Sequence, residues 1–181
     1  ILGIFAVIGF AVQSQLRSKF KRYSQMPLST GMSGAETATA MLSHYGISDV
    51  KIVEGRGTLT DHYNPKTKTV ALSPDVYHGR SVAAAAVAAH ECGHAVQHDT
   101  QYSMLQFRSG IVPVVQVAAS IQTYIFMGAI LLLGSFPQLM LIAIASYAVT
   151  TLFSFVTLPV EFDASKRALV WLDNAGVTHS Q

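Results

Sequence analysis

Between Arg108 and Glu161 the chain has no Asp, Glu, Lys or Arg, and no other feature narrows its possible folds so far. A membrane-spanning helix needs about 20 apolar residues to cross a hydrocarbon core about 30 Å thick. The uncharged interval, about fifty residues, is therefore too long for one span and long enough for two. Gly134-Ser135-Phe136-Pro137-Gln138 interrupts it near the middle, where Gly and Pro break helix, leaving roughly 20 to 26 residues on each side. Residues 109–160 thus read as a transmembrane helical hairpin. A soluble helical hairpin of this length would show a charged stripe toward water, and this one has none. The whole chain agrees, being 50% hydrophobic and 12% charged, where a soluble domain carries about a quarter charged residues. The hairpin also lacks the ionisable groups that would mark a transport pathway.

The first twelve residues are apolar and the chain opens on Ile1 rather than Met. Twelve residues of helix span only about 18 Å, so residues 1–12 are expected to be a partial N-terminal transmembrane helix whose beginning lies upstream. Arg17, Lys19, Lys21 and Arg22 follow this run, and Lys166 and Arg167 follow the hairpin, while the turn at 134–138 has no basic residue. The positive-inside rule puts the basic side in the cytoplasm. A net charge of +2, with no cluster of basic and aromatic residues, leaves no basis for a nucleic-acid partner. The single cysteine, Cys92, rules out an internal disulfide.

Residues 24–107 have a more ordinary, soluble-like composition. Ser33 and Glu36 form a capping-box pattern ahead of a helix over 35–45, with Gly46 as its stop. Residues 49–54 read as a strand. Residues 66–72 alternate as a second strand entered through a turn at Asn64-Pro65. Ser73-Pro74 looks like an N-cap followed by a first helical residue, and Ser81 opens a helix over 82–97 whose alanine-rich half carries no charge and should be buried.

On that last helix stands His90-Glu91-Cys92-Gly93-His94. A four-residue spacing puts both imidazoles on one face about 6 Å apart along the axis, close enough to share one tetrahedral zinc ion. Glu91 then sits beside the metal, where its carboxylate can take a proton from a water that the metal acidifies. His98 repeats the spacing, but it lies about 12 Å from His90 along the axis, too far for both to reach one ion, so a supporting or capping role is expected. Cys92 points away from both histidines and reads as a packed thiol. A catalytic zinc has three protein ligands and an open position. A hairpin returns the chain to the side it left, so Glu161-Phe162-Asp163 is the first acidic cluster to emerge there, with either acid a candidate third ligand.

Three stretches together resemble the YugP-like neutral zinc metallopeptidases, a zincin family of bacterial membranes. They are Leu59-Thr60-Asp61-His62-Tyr63-Asn64-Pro65-Lys66-Thr67-Lys68-Thr69-Val70-Ala71-Leu72-Ser73, Ala88-Ala89-His90-Glu91-Cys92-Gly93-His94-Ala95-Val96-Gln97-His98 and Leu158-Pro159-Val160-Glu161-Phe162-Asp163-Ala164-Ser165. The chain is more distantly similar to the HtpX and CAAX prenyl proteases, which place a glutamate after their membrane hairpin as third zinc ligand. Glu161 matches that glutamate. Those relatives have an aspartate four residues later, where this chain has Ser165. The family pattern also implies a further apolar helix beyond Gln181.

The expected fold class is a mainly α membrane protein with a zincin-like α+β metallopeptidase domain inserted between transmembrane helices. The parts are 1–12, the partial span; 13–108, the zincin-like domain; 109–160, the hairpin; and 161–181, a helix completing the zinc site. The expected activity is zinc-dependent endopeptidase cleavage with one catalytic zinc ion on His90, His94 and Glu161, and with Glu91 as general base. His98, Ser165, His62 and Thr69 are candidates for contacts around the metal or to substrate, and residues 67–72 for an edge strand on which a peptide lies extended. The alternative is a non-catalytic membrane scaffold with a structural or vestigial metal site, although such a site has no need of Glu91. Expected partners are a protein or peptide substrate and the lipid bilayer of a bacterial plasma membrane, with the catalytic domain facing the cytoplasm. The sequence specifies no oligomeric state.

Overall fold

A computed structural model describes residues 2–177, with side chains from Val7 onward. It divides into two compact units, one made of residues 1–99 with 164–181 and the other of 100–163.

The first unit opens with α1 (Leu2–Ser24). Residues 10–26 contain neither Gly nor Pro, so the helix continues from the apolar run through the basic stretch. Val7, Ile8, Phe10, Val12 and Leu16 are exposed along it, whereas Phe20 packs against the core. α2 (Gly34–His44) has the expected capping box: the Glu36 N–H donates to Ser33 Oγ (3.2 Å) and the Ser33 N–H to Glu36 Oε2 (2.7 Å). Gly46, at φ +71°, turns the chain out of the helix. α2 buries Ala38, Met41 and Leu42.

Three short strands follow, β1 (Lys51–Glu54), β2 (His62–Asn64) and β3 (Thr69–Leu72), in the order β1-β3-β2. β1 runs parallel to β3 and β2 antiparallel to it. The residues expected to begin the second strand instead form the β2–β3 turn. There Asn64 Oδ1 accepts from the Lys66 and Thr67 N–H groups (3.0 and 3.4 Å), and Lys68 takes φ +49°. β3 is therefore central, which corrects the reading of residues 67–72 as an edge strand. Val70, Ala71 and Leu72 are all buried: both faces of β3 are covered, and the sequence alternation did not mark one open face.

α3 (Pro74–Tyr77) starts on Pro74 as expected, but Ser73 Oγ donates to the Asp61 carboxylate instead of capping the helix. α4 (Val82–Asp99) is capped by Ser81 Oγ, which accepts from the Ala84 N–H (3.2 Å). Ala83, Ala84, Ala85, Ala88 and Ala89 are buried, and their small side chains let α2, α3 and the sheet approach closely. Trp171 and Leu172, near the end of the last helix, complete this core.

The second unit is a helical hairpin of α5 (Ser103–Leu131) and the first part of α6 (Gln138–Asn174). Phe126 and Tyr147 meet edge to face at 5.9 Å near the turn, and Arg108 meets Glu161 at the other end, so the helices run antiparallel. Ala129 and Ala143 are buried, as close helix packing favours. Both helices are long and apolar enough to cross a membrane by length and composition, yet only 17% and 6% of their apolar stretches are buried. A core helix of a soluble protein would be mostly covered. α6 continues unbroken past Pro159, and its residues from Ala164 onward belong to the first unit.

Candidate metal centre

The helical repeat of α4 stacks His90 over His94, with ring centroids 4.9 Å apart and planes at 81°. Two imidazoles on one tetrahedral zinc, each with a Zn–N bond of about 2.0–2.1 Å, would have centroids roughly 5 Å apart. Each ring is fixed through Nδ1. His90 Nδ1 lies 3.1 Å from Ser165 Oγ, and His94 Nδ1 lies 3.0 Å from Gln97 Oε1. Anchoring one ring nitrogen sets the tautomer and orients the other toward a metal. The pair therefore fits a zinc ion bound through Nε2. Glu91 and His94 are buried, with 9% and 8% of their surfaces exposed.

Gly93 explains how Ser165 reaches His90. A Cβ at position 93 would stand 2.5 Å from the Ala164 carbonyl oxygen, so α4 and α6 cross backbone to backbone there, with Ser165 the next residue along. Ser165 thus makes the imidazole contact. Cys92, on the other side of α4, is fully buried with Sγ 3.7 Å from the Ala38 carbonyl oxygen. Burial, and then the Glu91 charge, push its thiol pKa up, as expected of a packed thiol.

His98, His62 and Thr69 have partners of their own away from the histidine pair. His98 Nδ1 is hydrogen-bonded to the Tyr63 hydroxyl at 2.7 Å, linking α4 to β2. Burial, followed by the charges of Asp49 and Asp99, raises the Tyr63 pKa to about 12, so this hydroxyl stays protonated. His62 is exposed, with Nδ1 2.8 Å from the Thr60 carbonyl oxygen, and Thr69 Oγ1 donates to the Thr67 carbonyl oxygen at 3.1 Å. Neither is joined to His90 or His94 by these contacts. Glu161 lies in the second unit on α6, one helical turn before Ser165, with Oε1 3.6 Å from Arg108 Nη2. A cavity of about 550 Å³ lies between the end of α1 and the α3–α4 connection, lined in part by Phe20, Lys21 and Arg80, and contains none of the candidate residues.

Sequence reasoning passed over Gln97, Gly93 and Arg108. Gln97 had a signal: it stands three residues after His94, and a completely buried glutamine must be hydrogen-bonded. The close approach at Gly93 depends on where α6 crosses, which local sequence does not state.

The whole chain, residues 1–181, matches the family described as "Putative neutral zinc metallopeptidase". The chain belongs to this zinc metallopeptidase family. The chain is also similar to "Putative membrane protease YugP" of Bacillus subtilis (strain 168), at 44% identity over 161 residues, covering 89% of this chain and 71% of the relative. No solved structure matches the chain. Membership in the zinc metallopeptidase family implies zinc, and the anchored histidine pair on α4 has the chemistry to hold it.

Proposed function

We propose that the chain is a membrane-embedded zinc endopeptidase in which His90, His94 and Glu161 hold one zinc ion and Glu91 is the general base. The observation that carries this reading is the anchoring of both imidazoles through Nδ1, by Ser165 and Gln97. A helix with no metal to hold has no need to orient two histidines in this way. Glu161 is favoured over Asp163 by helical phase. Ser165 stands against His90, and a residue four positions earlier on the same unbroken helix projects from the same face. Asp163 points about 200° away from Glu161.

Zinc bound there supplies the Lewis acidity that polarises a peptide carbonyl and acidifies a water. Glu91 accepts that water's proton and returns it to the departing amide nitrogen. Its place beside His90 suits this role and not that of a ligand. Substrate is assigned to the outer edge of β2. This strand pairs with β3 on one side, has no strand partner on the other among the described residues, and touches α4 through Tyr63 and His98. An extended peptide adding to it would gain backbone hydrogen bonds. The hairpin of α5 and α6 crosses the membrane, and the basic residues flanking it put the zinc-holding unit in the cytoplasm.

The test is Glu91→Gln in the full chain, purified in detergent. Zinc content should match the unsubstituted protein, and cleavage of an unstructured reporter should fall about 10²- to 10⁴-fold. Undiminished cleavage would refute the mechanism. A zinc-loaded, unsubstituted protein that cleaves no reporter would favour the scaffold reading.

A further inference from the structure

Arg108 is the first residue to explain at the base of the hairpin. Among the described residues its Nε is the buried side-chain nitrogen that has no hydrogen-bond partner, and buried donors in native structures are normally satisfied. The same guanidinium places Nη2 3.6 Å from Glu161 Oε1. That is an ion pair, but too long for a hydrogen bond. The guanidinium is thus partly desolvated and ion-paired with a carboxylate, and it is the last charged side chain before the uncharged interval, facing the first one after it. A residue serving only to anchor the hairpin at a membrane surface would turn its guanidinium outward to water or phosphate. This one is turned toward Glu161.

We propose that Arg108 is the positioning residue for Glu161: its guanidinium pairs with Oε1 and so orients the carboxylate to offer its other oxygen to the metal. The inference rests on Glu161 being the third ligand. An arginine suits the task because a guanidinium can engage a carboxylate in a fixed plane, whereas an ammonium acts as a point charge. Holding one oxygen keeps Glu161 from chelating with both and so preserves the open coordination position that a catalytic site needs. Arg108 and Glu161 come from opposite arms of the hairpin, so the same contact fixes where α6 leaves the apolar segment relative to the start of α5.

The experiment measures zinc affinity by chelator competition on the full chain in detergent, for Arg108→Ala, Arg108→Lys, Glu161→Gln and the double variant Arg108→Ala/Glu161→Gln. Arg108→Ala should bind zinc about 10- to 100-fold more weakly, as outer-shell substitutions do. Arg108→Lys should recover part of that loss, and the double variant should be no weaker than Glu161→Gln alone, because Arg108 acts through Glu161. If Arg108→Ala stays within twofold of the unsubstituted protein, or if the two losses multiply in the double variant, the proposal is overturned. Where Arg108→Ala does not fold, Arg108→Lys decides: unchanged affinity overturns the proposal, and a several-fold loss supports it. Glu161→Gln binding zinc normally would instead overturn the third-ligand reading, and Arg108's role with it.

Discussion

Replacing Gly93 with alanine tests whether the crossing of α4 and α6 builds the histidine site. The new Cβ would stand 2.5 Å from the Ala164 carbonyl oxygen, and an ordinary carbon–oxygen contact needs roughly 0.7–1 Å more. That oxygen is backbone, so it cannot swing aside as a side-chain tip could. The helices must separate or tilt, at a cost of about 1–3 kcal/mol, as for other overpacked core positions. Ser165 is the residue after Ala164 and would be carried along. Its present 3.1 Å contact with His90 Nδ1 would stretch to about 4 Å, beyond hydrogen-bonding range. His90 would then lose the partner that orients it, and zinc affinity should fall about 10- to 100-fold. Chelator competition measures the affinity, and thermal unfolding of the zinc-free protein measures the packing cost separately. A Gly93→Ala protein that unfolds at a lower temperature yet binds zinc within twofold of normal would show that Ser165 does not support the site. One that is unchanged in both would show that the close crossing is not there.

Two further outcomes follow from the same geometry. Gln97→Leu keeps the volume of a fully buried side chain but removes the acceptor of the His94 Nδ1 contact, so zinc should bind about 10- to 100-fold more weakly with the helix content intact; normal affinity would assign Gln97 to packing alone. Single cysteines at Ser24 and Thr58, both exposed, should be labelled from the cytoplasmic side and one at Ser135 from outside, with the buried Cys92 silent as background. Labelling in the reverse pattern would invert the proposed topology.

Much of this architecture could be read from local rules because each is decided within a few residues. The capping box at Ser33 and Glu36, the Gly46 stop, the Ser81 cap and the uncharged hairpin all depend on neighbours in sequence, and the structure places them as the pattern implies. The sheet was less legible. Strand β2 is three residues long, and the alternation that marked 66–72 as one strand ran across a turn held by Asn64 and closed by Lys68. Whether β3 was central or at an edge depended on β1, whose parallel pairing no local signal carries. The His90/His94 pair was legible because one helical turn fixes it. The groups that support it come from different ranges: Gln97 from the same helix, Ser165 from 75 residues away.

These supports share a chemical character that bears on how the site would work. Ser165 and Gln97 are neutral, whereas a carboxylate in either place would raise the basicity of the attached imidazole and add a negative charge close to Glu91 and Glu161. Glu91 is buried, and another nearby anion would resist its ionised form, the form that its proposed role as general base needs. Neutral acceptors orient the rings without that penalty. Ser165 therefore supplies the geometric function of a carboxylate at this position without its charge. Arg108 adds a positive charge beside Glu161, which would lower the cost of gathering carboxylates around the proposed centre. With Glu161 as the proposed third ligand, this chain would bring two carboxylates and two histidines together with an arginine as the compensating charge.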